Sequence, residues 1–180
     1  MTRTLITVAL TATALTLAAC GGDDHNDVDV TFAQEMIPHH AQAVQMSDML
    51  LAKDDVDPEV VDLAEQIKDA QAPEIETMSG WLEQWGEDVP ATDMGSMDMD
   101  SMNMDGMMSS EDMSALDAAE STDAAQLFLE GMTEHHQGAI EMAEQEVEDG
   151  EAPEAIDLAE TIIDSQQAEI DEMEQLVDQG

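Results

Sequence analysis

The chain has 180 residues, 43% of them hydrophobic, yet only two Phe, two Trp and no Tyr. One modest core of Leu, Ile, Val, Ala and Met is expected, which suits packed helices better than a β-sandwich. Three basic side chains stand against 44 acidic ones, a formal charge of −41, which argues against nucleic acid or an anionic membrane surface as a partner. The acidity reads either as a solvated surface suited to a salty medium or as a field that concentrates cations.

At the N-terminus, Arg3 precedes an apolar, Ala/Thr-rich run. The run is too short to span a bilayer and reads as an export signal. It ends in Leu17-Ala18-Ala19-Cys20, which resembles a bacterial lipobox. Residues 1–19 are then a lipoprotein-type signal peptide, and Cys20 carries a lipid anchor to the outer face of the membrane or in the periplasm. The alternative is an ordinary secreted protein with one thiol. A lone cysteine makes no internal disulfide. Residues 20–28 form a polar tether, with His25 as an ordinary tether residue. Loss of the signal leaves two basic and 44 acidic side chains, a charge of −42.

The first helix is expected from about Asp29 to Ala52. Phe32, Met36, His39, Ala43, Met46 and Leu50 share one stripe at about 100° per residue, and Pro38 should kink it or mark an irregular first turn. Asp57 and Pro58 restart the chain as N-cap and first helical residue. The second helix, to Trp85, turns Leu63, Ile67, Ala70, Glu74, Met78, Trp81 and Trp85 inward, and Pro73 is a second expected kink. These helices make a first αα-hairpin over residues 29–86. Residues 87–122 are a Met-rich linker in which Ser110 to Leu116 open a short helix with a capping serine. The second hairpin covers 123–180. Its first helix carries Phe128, Met132, His135, Ala139 and Met142 and stops at Gly150. Its second starts at Pro153 and buries Leu158, Ile162, Ser165, Glu169, Met173 and Leu176.

The hairpins are copies of one another. Phe, Met, His-His, an aliphatic residue and Met recur at an offset of 96, and the second helices align at 95. Four of the five histidines fall in the two His-His pairs. Two such hairpins most simply close an all-α, ferritin-like four-helix bundle about a pseudo-twofold axis. That brings His39, His40, His135 and His136 towards Glu74 and Glu169. Buried imidazoles and carboxylates need partners or a metal. One reading is a transition-metal site for copper, zinc, iron or nickel; the other is internal His–Glu hydrogen bonding that fixes helix register. Met36, Met78, Met132 and Met173 add thioethers that favour Cu(I) if they ligate, and fill gaps in the core if they do not.

The linker holds Met94, Met97, Met99, Met102, Met104, Met107, Met108 and Met113, eight thioethers in 20 residues. No core periodicity accounts for them. Either this is a flexible, oxidation-prone loop, or its sulfurs bind soft Cu(I) or Ag(I) without the redox liability of thiols.

These residues resemble a known family. The resemblance rests on Met36-Ile37-Pro38-His39-His40 with Met46, Leu63-Ala64, Gln71 with Glu74, Ile75 and Met78, and the second copy His135-His136-Gln137-Gly138-Ala139-Ile140 with Met142. Over residues 29–178 the chain is similar to the exported, ferritin-like four-helix family called domain of unknown function 305. Members of its CopM type are periplasmic copper-binding proteins, so the resemblance implies copper handling. The first repeat departs at Ala41-Gln42-Ala43, where the second has Gln137-Gly138-Ala139, and Ala168 stands where the first has Pro73.

Three functions compete. The leading one is a lipid-anchored extracytoplasmic protein that binds, buffers or chaperones copper for copper tolerance. The second is a di-metal ferritin-like oxidase, which needs Glu-x-x-His on two helices; Met36 and Met132 stand where those carboxylates would be. The third is a structural or interaction bundle without metal. No nucleophile triad or phosphate-binding glycine loop occurs, so metal ions are the expected partners.

Overall fold

Three of the helices begin where the sequence offers a capping side chain. The Asn26 side chain accepts from the Val28 and Asp29 N–H groups at 2.6 and 3.3 Å, and Asp29 accepts from the Asn26 N–H at 2.5 Å. This reciprocal capping box starts the first helix two residues earlier than expected. Asp57 caps the second helix through the Glu59 N–H at 2.9 Å, and left-handed Gly86 at φ 81° ends it. Ser109 caps the short third helix through the Asp112 N–H at 3.1 Å.

The structure is a computed structural model, and it describes residues 25–93 and 106–179. Its helices are α1 (Asp27–Leu51), α2 (Pro58–Trp85), α3 (Ser110–Ala118), α4 (Ser121–Asp149) and α5 (Pro153–Gln179), with no strand among the described residues. None of these helices is long and apolar enough to cross a membrane. The signal segment, Cys20, Met94, Met97, Met99, Met102 and Met104 lie outside the described residues. Pro38 falls in the interior of α1 rather than its first turn, and α2 likewise runs through Pro73.

α1 packs along α2, and α4 along α5. The two hairpins join chiefly through α1 and α4, and α3 lies across that pair. The core is divided in two. One apolar cluster holds Ala43, Met46 and Leu50 of α1, Val60 to Ile67 of α2, Phe128 and Met132 of α4, and Ile170 and Met173 of α5. The other holds Phe32, Met36 and Ile37 of α1, Met78 and Leu82 of α2, Ala139 and Ala143 of α4, and Ala155 to Ile162 of α5. Each cluster draws on half of all four long helices, and the histidines sit at the boundary.

Two expectations need correction. Ala70 and Ser165, read as inward, are exposed, and their neighbours Gln71 and Gln166 are buried instead. Adjacent helical positions differ by only about 100°, so the edge of a stripe does not separate them. The end of the linker does have a core to fill: Met113 and Leu116 of α3 are buried in the first cluster, and Met108 packs against it.

Candidate metal-binding layer

The four paired histidines lie mid-helix in α1 and α4 and are fully buried. His39 and His135 meet across the seam with ring centroids 3.7 Å apart and planes inclined by 40°. The second member of each pair turns to its own hairpin: His40 Nε2 lies 2.7 Å from Glu74 Oε2, and His136 Nε2 lies 2.7 Å from Glu169 Oε2. Both carboxylates are 18% exposed, so they rim the layer where it reaches solvent. A carboxylate accepts only, so each Nε2 carries a proton and donates it, and in the neutral ring Nδ1 is then the lone-pair atom. Both Nδ1 atoms are buried and have no hydrogen-bond partner among the described residues.

Burial holds His135 well below the usual histidine range, helped by the neighbouring imidazoles of His39, His136 and His40. It is therefore neutral near pH 7 and presents a lone pair rather than a charge. Gln71, through both amide atoms, and Gln166, through Oε1, add further buried polar atoms without partners among the described residues. Buried polar groups are nearly always satisfied, so a concentration of exceptions marks a place built for a ligand or water.

The thioethers divide by cluster. Met36 and Met78 are fully buried on one side of the layer, and Met132 and Met173 on the other. Met107 and Met108 are half-buried at the linker's return. The structure thus brings together His39 with His135, His40 with Glu74, and His136 with Glu169, but not all six in one shell. Among the described residues no three His, Cys, Asp or Glu side chains are placed to hold a metal ion.

Sequence reasoning missed a second polar pair. Asp29 and Glu146 are fully buried where α1 begins and α4 ends. Asp29 accepts from the Ala152 N–H at 2.8 Å and the Glu151 N–H at 3.0 Å, besides Asn26. Burial alone would raise its pKa, but its hydrogen bonds from Glu146, Asn26, Ala152 and Glu151 outweigh that and hold it below the usual range. Glu146 is pushed up to about 8 by burial and then by the Asp29 carboxylate it faces. The pair therefore shares one proton, held on Glu146. The signal was present, since Glu146 continues the α4 stripe one turn past Met142. His25 is also more than a tether residue: its ring stacks on Trp85 at 4.6 Å.

Solved structures share this fold. A DUF305 protein from Streptomyces coelicolor, described as secreted, is 35% identical, with 84% of this chain and 93% of that one covered and a TM-score of 0.75. A DUF305 fragment from Deinococcus radiodurans is 28% identical, with 86% and 98% covered and a TM-score of 0.76. CopM in its Cu(I)-bound form is 35% identical, with 84% and 96% covered and a TM-score of 0.67; CopM is also known in Cu(II)-bound and Ag-bound forms. No curated protein matches the chain. The profile described as domain of unknown function, DUF305, matches residues 29–177. That match takes in both histidine pairs and all but the outermost residues of both hairpins, and the chain belongs to the DUF305 family.

Proposed function

We propose that this protein binds copper outside the cytoplasm, tethered to the membrane through a lipid on Cys20, and buffers or chaperones Cu(I). The observation that carries the reading is the buried layer of four histidines, with the Nδ1 atoms of His40 and His136 left without a hydrogen bond among the described residues and thioethers on either side. Imidazole nitrogen and thioether sulfur form a donor set suited to soft Cu(I). The likeness to CopM, which has Cu(I)-, Cu(II)- and Ag-bound forms, supports it. In this reading His39, His40, His135 and His136 ligate, and Met36, Met78, Met132 and Met173 supply sulfur. Glu74 and Glu169 orient His40 and His136, as carboxylates behind metal-bound histidines commonly do. Met94, Met97, Met99, Met102, Met104, Met107 and Met108 capture the ion first.

The test is Cu(I) titration of the soluble chain from Gly21 onward against a chromogenic chelator. A variant with the four paired histidines changed to alanine and one with the eight linker methionines changed to leucine are titrated beside it, with circular dichroism to verify folding. Each variant should bind more weakly. Glu74→Gln, which keeps shape but loses the anion, should weaken binding by about 10–100-fold. Wild-type affinity no greater than that of a generic acidic protein would sink the reading.

A further inference from the structure

The second repeat departs from the first at two positions that histidine chemistry does not explain. Gly131 stands where the first has Glu35, and Gly138 where it has Gln42. Glycine is the poorest interior helix residue after proline, so two in one helix call for a reason. Both flank His135 in α4, four residues before it and three after, and the chain returning from the linker crosses there. The Met108 thioether lies on Gly131, where an added Cβ would come within 2.7 Å of Sδ. Gly106, left-handed at φ 82°, comes so near the next turn that a Cβ on it would stand 2.7 Å from the Glu134 carbonyl oxygen and 3.0 Å from both Gly138 Cα and the His135 carbonyl oxygen. From across the seam, fully buried Gln42 clasps the same segment. Its Nε2 donates to the Met108 carbonyl at 3.0 Å, and its Oε1 accepts from the Met108 N–H at 2.8 Å. Two positions that are mates in the repeat thus hold one segment from two helices, one by a clasp and one by making room.

We infer that Gln42, Gly131 and Gly138 form a seat that docks the returning end of the methionine-rich linker on the histidine layer, so that linker and bundle act as one Cu(I)-handling unit. This rests on the copper reading above. Cu(I) held by Met107 and Met108 passes to His135 by ligand exchange: a sulfur–copper bond breaks as a nitrogen–copper bond forms. The ion stays Cu(I), so no electron is transferred, and neither donor atom carries a proton to lose. Gln42 is a positioning residue in this step, since it touches the linker backbone.

The experiment follows methionine methyl and histidine ring resonances by NMR as the soluble chain takes up Cu(I), with Met108 amide exchange measured first in metal-free protein. In the wild type, the Met108 methyl and His135 ring signals should move together within the first equivalent. Gln42→Leu keeps the bulk and removes both bonds; Gly106→Ala breaks the seat from the linker side. Either should expose the Met108 amide, separate the two responses into different equivalents, and weaken binding on the order of tenfold, as when two half-sites lose their effective concentration. Joint loading that survives loss of Met108 protection would overturn the inference alone, as would full Met108 protection in both variants. A wild type that takes up no Cu(I) would overturn the copper reading and this inference together.

Discussion

Asp29 and Glu146 face each other where α1 begins and α4 ends, and their ionisation bears on stability. Glu146 has its folded pKa raised to about 8, so the folded chain holds a proton that the unfolded chain releases in the ordinary glutamate range. By linkage, stability falls as pH rises from that range to about 8 and levels off above it. Asp29 has the opposite sign: its folded pKa is lowered, so its contribution is present at neutral pH and is lost on acidification. Glu146→Gln places a permanent N–H donor against Asp29. It should flatten the descending limb and, at pH 9, gain the roughly 1–3 kcal/mol that an unsatisfied buried group costs. Thermal melts of both proteins from pH 5 to 9 check this, and parallel curves would refute it. The sequence showed Glu146 only as one more apolar-face position. Its partner lies 117 residues away, and no local period reports a contact of that range. The histidine pairs were legible because they recur; Asp29 and Glu146 do not, for their repeat mates are Ala125 and Leu50, both buried in the first cluster.

Caps and stripes made the four long helices readable, since both depend on residues within a turn or two. The docking of α3 depends on α1 and α4 and was not readable. Nine residues are too few to hold a helix in water alone, so Met113 and Leu116 keep α3 in place by burial. Leu116→Ala should cost about 2–5 kcal/mol at the docking site. Amide exchange should quicken over residues 108–118 while the long helices stay protected; uniform quickening across the bundle would show that α3 is part of the global cooperative unit. Gln71 and Gln166 teach a related lesson. The misplaced pair Ala70 and Ser165 shares their 95-residue offset, but only Gln71 and Gln166 are the same residue in both copies, so identity between the repeats was a better guide to burial there than hydropathy.

Across the whole molecule, 44 acidic side chains repel one another against three basic ones. Lys68 pairs with Asp48, and Lys53 reaches the Asp117 carbonyl, which leaves the self-repulsion nearly intact. Raising the ionic strength from 0.01 to 1 M shortens the screening length from about 30 to about 3 Å. The melting temperature should then rise by several degrees, the shift that about 1–3 kcal/mol produces in a chain of this size. A melting point indifferent to sodium chloride would mean that the acidic shell is already neutralised by bound ions. The bundle itself was the most legible level, because two aligned copies of one amphipathic hairpin leave few other ways to bury their faces.

The divided core also makes the two hairpins depend on each other. Each apolar cluster is closed by segments of both hairpins, so a single hairpin possesses two half-cores and no whole one. Either hairpin alone would have to pair with a second copy of itself to bury its apolar face. With both on one chain the two copies need not be identical, and they differ where Gly131 and Gly138 stand in place of Glu35 and Gln42.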